Sequence, residues 1–167
     1  MASGKLFAII AAILTLLGTY VFAINLGSSP STVGSGLGFI FNIPDLFTNA
    51  ATHAGTLSIN VIIFYVLVVV FIIFLAAGVL QLIFAKSKIL SLIFSLFPLG
   101  VGLMFIFLTY TDFLGIKSAF FSAFFEGTHY ADLYPILLDL GGLALGAYFI
   151  TAGGALGLIS GFLPRED

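Results

Sequence analysis

The chain reads as an all-α membrane protein: four transmembrane helices in an up-down bundle, both termini cytoplasmic, with two outer loops carrying short aromatic interfacial segments. Three observations lead there. Of its 167 residues, 61% are hydrophobic and only 7% charged, too few polar groups to cover a surface in water. The apolar residues gather into four runs, each long enough to cross a ~30 Å hydrocarbon core. The basic residues flank those runs almost entirely on one side, the pattern of cytoplasmic loops and ends.

The first run, about residues 6–26, would be ~31 Å long as a helix at ~1.5 Å per residue. It is longer than the ~7–15-residue apolar core of a leader and lacks a small-x-small cleavage site, so it reads as a span. A first outer loop follows. It opens on a Gly/Ser/Pro-rich stretch, Gly27 to Gly36, flexible by composition. It continues through Gly38 to Phe47, whose three phenylalanines are too apolar to stand in water. That part is expected at the interface or folded back on the bundle.

The second span, about residues 59–84, is longer than the hydrocarbon is thick and has to tilt or project. A tight turn, Ala85 to Lys88, leads into the third span at about 89–111. Pro98 and Gly100 inside that span are expected to bend it. The second outer loop, Asp112 to Tyr134, holds the aromatic doublet Ser118-Ala119-Phe120-Phe121-Ser122-Ala123-Phe124-Phe125. The fourth span is expected from Pro135, a favourable first helical position, to about Phe162. Residues 1–167 thus form a single four-helix transmembrane domain.

Charge sets the orientation. Lys5, Lys86, Lys88 and Arg165 fall on one side of the spans, and Asp45, Asp112, Glu126, Asp132 and Asp139 with Lys117 on the other. The basic side is the cytoplasmic one. The expected localisation is therefore the plasma (cell) membrane, multi-pass, with the N and C termini inside. Tyr110, Tyr130 and Tyr134 are placed for an aromatic belt.

Two features invite a chemical reading. Gly142, Gly146, Gly153, Gly157 and Gly161 recur at helical spacing along the fourth span, three of the intervals being G-x-x-x-G. In lipid, close backbone approach supplies the packing energy, either with another helix of this chain or with a second copy. Asp139 lies about one turn into the same span. There it either anchors the helix N-terminus or handles a cation or proton, with Asp132 and His129 as companions. The segments Thr52-His53-Ala54-Gly55-Thr56-Leu57 and Thr128-His129-Tyr130-Ala131-Asp132-Leu133 share T-H-x-x-x-L. A duplication would put His53 and His129 at equivalent outer positions, near enough to acids to share a metal or sense pH; chance is the simpler account of three matched positions.

Several activities are set aside. With no cysteine, disulfides, Cys-held zinc and iron–sulfur clusters are impossible. The spans hold no histidine for a haem, and neither a phosphate-binding glycine loop nor a basic run for nucleic acid occurs. No Asn-x-Ser/Thr glycosylation site is present. No catalytic, cofactor-binding or metal-ligating residue is assigned, and an enzyme is not expected. The arrangement of two outer loops and one short inner turn resembles tetraspan proteins such as claudins and tetraspanins, in topology only. The cysteines of both families, and the claudins' loop tryptophan, are missing.

The leading expectation is a non-catalytic scaffold or accessory subunit that partners membrane lipids and other membrane subunits or its own copies. A small oligomeric cation or proton channel and a lipid- or quinone-binding subunit are the alternatives.

Overall fold

The structure is a computed structural model describing residues 3–27, 32–111, 123–125, 129–130 and 134–165. It is mostly helical, and four of its helices are long and apolar enough to span a membrane. Helix α1 (Ser3–Leu16) runs on into a π-turn (Leu17–Val21). Two short helices, α2 (Gly36–Thr48) and α3 (Ala50–Thr56), follow, then α4 (Val61–Ile83), α5 (Lys88–Tyr110) and α6 (Leu145–Phe162). Three two- or three-residue strands, β1 (Asn25–Leu26), β2 (Thr32–Gly34) and β3 (His129–Tyr130), pair antiparallel in the order β1-β2-β3.

The long helices are capped where the sequence supplies a cap. Asn60 Oδ1 accepts from the Ile62 amide at 2.8 Å, and Ser87 Oγ accepts from that of Leu90. Each thereby satisfies one of the orphan donors at a helix start. The second and third spans accordingly begin and end within a residue or two of the limits read from hydropathy, and α5 is continuous through Pro98.

The ends of the first and fourth spans that lie away from the α4–α5 turn differ from expectation. α6 begins at Leu145, not Pro135, and residues 135–144 form bends and isolated bridges instead of a helix. The reason is local. Asp139 Oδ1 accepts from the amides of Gly141 and Gly142 at 3.0 and 2.9 Å, and both glycines take positive φ, 92° and 93°. That closes a turn where a helix would have to continue. The first span likewise leaves the helix after Val21. The two non-helical segments then satisfy each other: Ala23 N donates to Ile136 O at 2.9 Å and Ile136 N to Val21 O at 3.0 Å. The first turn of α6 has no side-chain cap; instead Leu145 N donates to Leu138 O and Gly146 N to Ala23 O.

α1, α4, α5 and α6 close a ring in which each helix packs on its two neighbours. Gly4 N donates to Pro164 O at 3.1 Å and Arg165 reaches the carbonyl of Ala85 at 2.7 Å. The start of α1, the end of α6 and the α4–α5 turn therefore share one end of the ring. At the opposite end α2 folds back on α4. Its Phe39 and Leu46 are buried in one core cluster with Phe64, Phe71 and Phe105, and Phe124 and Phe125 join the same cluster. Phe125 meets Phe39 and Phe105 edge-on, at ring centroids 5.1 and 4.8 Å apart, a favoured aromatic geometry.

The glycines of α6 face both flanking helices. A Cβ on Gly146 would stand 2.5 Å from the carbonyl oxygen of Ala23, and one on Gly153 2.8 Å from that of Ala11. A Cβ on Gly154 would stand 2.6 Å from Leu99 Cα, on Gly157 2.7 Å from Ser95 Cβ, and on Gly161 3.0 Å from Leu92 Cδ1. Gly142 is off the helix, in the Asp139 turn. Gly55 in α3, by contrast, has nothing within 4 Å of an added Cβ. Gly154→Ala should therefore cost about 1–3 kcal/mol through a clash that backbone cannot relieve. Gly55→Ala should be neutral or stabilising by up to about 1 kcal/mol. Unfolding midpoints of the two variants in one detergent check both.

Candidate functional site

Polar side chains inside the bundle are few, and they gather near the end that holds the α4–α5 turn. Gln81 of α4 is 1% exposed, and Ser91 and Ser95 of α5 and Ser160 of α6 are fully buried. Gln81 Nε2 donates to Ser95 Oγ at 2.9 Å, and Ser95 Oγ donates back to the Ser91 carbonyl at 2.6 Å. Ser91 Oγ lies 3.3 Å from Ser160 Oγ, which also donates to the Gly157 carbonyl at 2.6 Å. The spacing of four between Ser91 and Ser95 puts both on one face of α5, and the missing side chain of Gly157 makes room for Gln81 and Ser95 beside α6.

Arg165 completes this cluster from beyond the end of α6. Its Nη1 donates to Ala85 O at 2.7 Å, and its Nη2 to Ser160 Oγ at 3.0 Å and Ser160 O at 3.3 Å. One guanidinium so ties the α4–α5 turn to the last turn of α6, where a cation also answers the exposed carbonyls of a helix C-terminus. Partial burial moves its pKa down from the ordinary arginine value, which leaves it charged. Two atoms of the cluster, Gln81 Oε1 and Arg165 Nε, are buried without a hydrogen-bond partner among the described residues. Arg165 was read from sequence as an orientation signal alone. The Ser91/Ser95 spacing with Gln81 ten residues before it was the available sign of a buried polar contact.

Of the residues proposed for ion handling, only Asp139 has a described side chain. Asp139 is exposed and spends one carboxylate oxygen on the Gly141–Gly142 turn. Asp132, like Asp112, Lys117 and Glu126, lies outside the described residues, and only the backbone of His129 is described, in β3. His53 sits in α3, so the two T-H-x-x-x-L histidines occupy different local structures, a helix and a strand. Among the described residues no three His, Asp or Glu side chains are grouped so as to hold a metal.

His53 has found another partner. Its Nε2 lies 2.8 Å from Asp45 Oδ2, Asn49 Nδ2 donates to Asp45 Oδ1 at 2.6 Å, and the imidazole stacks on Phe64 with centroids 5.6 Å apart. This group ties α2 to α3 and to the top of α4. The hydrogen bonds from His53 and then Asn49 hold the Asp45 carboxyl below its ordinary pKa. A lowered carboxyl pKa contributes stability that is complete above the unfolded value and fades as pH falls through the folded one.

No family model, curated protein or solved structure matches the chain. The functional reading rests on its own residues.

Two expectations follow from this geometry. The Asp45 carboxyl carbon should titrate below ~3.9, the ordinary aspartate value, and His53→Ala should return it towards that value, as carbon-detected NMR can record. Arg165→Ala should destabilise the fold by about 1 kcal/mol through loss of charge-assisted hydrogen bonds, read as a lower unfolding midpoint. Arg165→Lys should recover only part of that, since an ammonium cannot fork between Ala85 and Ser160.

Proposed function

We propose that the chain is a non-catalytic integral membrane protein, a compact four-helix scaffold that acts by packing with other subunits or copies of itself. One observation carries the reading: among the described residues, most of the polar groups that a transport path or a catalytic centre would need hold the chain together. Asp139 closes a turn, Gln81 and the serines join α4, α5 and α6, Arg165 ties a hairpin to a helix end, and Asp45 and His53 join α2 to α3. Between the Gln81 cluster and the opposite end, the described buried side chains are mostly apolar, such as Phe74, Phe105 and Ile150, with Thr15 and Thr19 of the first span the polar exceptions. A path for ions would need polar lining there.

The glycine seams of α6 support intramolecular packing, so partner contact falls to the outward faces. Ile62, Val66 and Val69 of α4 are 69%, 58% and 53% exposed. Such a face is apolar all along and suits a neighbour in lipid as well as lipid itself. Cytoplasmic termini follow from the positive-inside rule and place the Arg165 cluster on the inner side.

Purification in a mild detergent should yield a defined partner or a homo-oligomer; a strictly monomeric particle without partners would count against the reading. In reconstituted vesicles the protein should carry no proton or cation current. A wild-type current abolished by Asp139→Asn, which keeps the turn's acceptor oxygen but removes the charge, would overturn the scaffold assignment in favour of a channel.

A further inference from the structure

α4 and α5 do not close on each other along their whole length. Between them lies a groove of about 310 Å³, walled by Leu67 and Val70 of α4 and by Leu96, Gly100 and Met104 of α5, with Phe124 closing it. All of its described lining residues are apolar. The mouth faces outward, away from the ring: Val70 is 38% and Leu96 50% exposed. From Leu96 to Met104 the groove follows ~12 Å of α5 at ~1.5 Å per residue, centred on the middle of that helix. In a membrane it opens into hydrocarbon.

Gly100 sets its depth. The glycines that face a neighbouring helix would drive a Cβ into it, as Gly102 would against Thr151. Gly100 has nothing among the described residues within 4 Å of an added Cβ. A glycine inside a helix weakens that helix relative to alanine, and no contact among the described residues accounts for it. What it does provide is the open floor of the groove.

The groove cannot remain empty or fill with water at no cost. Water would find no polar partner on these walls, and a void forfeits the dispersion contacts that stabilise packing in lipid. The bulk medium at the mouth consists of acyl chains. A polymethylene chain is thin enough to lie along the groove. The volume is at the lower end of the ~300–1,000 Å³ found for small-molecule pockets. We infer that the α4–α5 groove is a binding site for one acyl chain of a membrane lipid, seated over Gly100 and closed by Phe124. This goes beyond the scaffold reading and does not depend on it.

The test uses the full chain in nanodiscs of phosphatidylcholine, doped with a phosphatidylcholine that carries a diazirine midway along one acyl chain. After irradiation, adducts are mapped by peptide mass spectrometry. Groove residues Val70, Leu96 and Met104 should be labelled about tenfold more than Ile10 and Ile13, the equivalent of ~1.4 kcal/mol of preference; those two controls are 40% and 48% exposed near the middle of the first span. Gly100→Leu places its side chain in the open groove and should cut groove labelling about tenfold without changing that of Ile13. Equal labelling of groove and controls in the wild type would overturn the site, leaving only ordinary surrounding lipid. So would a wild-type dimer that Gly100→Leu dissociates with no change in labelling, since a second copy would then own the groove. The wild-type ratio decides the matter even if Gly100→Leu fails to fold, and Gly100→Ala supplies a milder filling.

Discussion

Backbone amides and carbonyls have no water to bond in hydrocarbon, and this single restriction shapes the molecule. It makes the four long segments helical, because a helix satisfies its peptide groups internally. It also governs the places where the helices stop. Residues 22–26 and 135–144 leave helical geometry, and their freed groups pair with each other across Ala23, Ile136, Ile24 and Ala144. Three hydroxyls obey the same rule: Thr19, Ser95 and Thr151 donate to the carbonyl four residues earlier, the usual way of hiding a polar group inside a helix.

The second restriction is that apolar surface gains little by leaving lipid for protein, so closeness of fit has to supply the cohesion. α6 meets it by approaching α1 and α5 at glycine. The turn end adds hydrogen bonds on buried serines and Gln81, and the opposite end adds ring-to-ring contacts between Phe39, Phe105, Phe124 and Phe125. The bundle is thus held by a polar clasp at one end, an aromatic one at the other, and narrow helix seams between. The α4–α5 seam stands partly open, at the groove over Gly100.

How much of this was legible varies with what hydropathy measures. The second and third spans were readable to within a residue or two because Asn60 and Ser87 cap them where the apolar runs begin. The fourth was misjudged by ten residues at its start. Hydropathy counts Ile136, Leu137, Leu138 and Leu140 as a span, but an aspartate followed two and three residues later by glycines is a turn signal, and it prevailed. Once that turn is recognised, Gly142 leaves the helical stripe and Asp139 changes from a group buried in a helix to one closing a loop. The polar cluster was missed for a different reason. Serines are weak signals in sequence, and which serine of α5 meets which residue of α6 is decided by helix rotation and depth, quantities that no residue pattern states.

Closure of the ring has a mechanical consequence. A hairpin of two helices can be peeled from a bundle one seam at a time, but here α1, α4, α5 and α6 each touch two neighbours, and Gly4 is bonded to the Pro164 carbonyl. Force applied to either chain end must shear two helix contacts together before the first segment can leave the bilayer. Extraction should then proceed in a few large steps, with the helices resisting collectively.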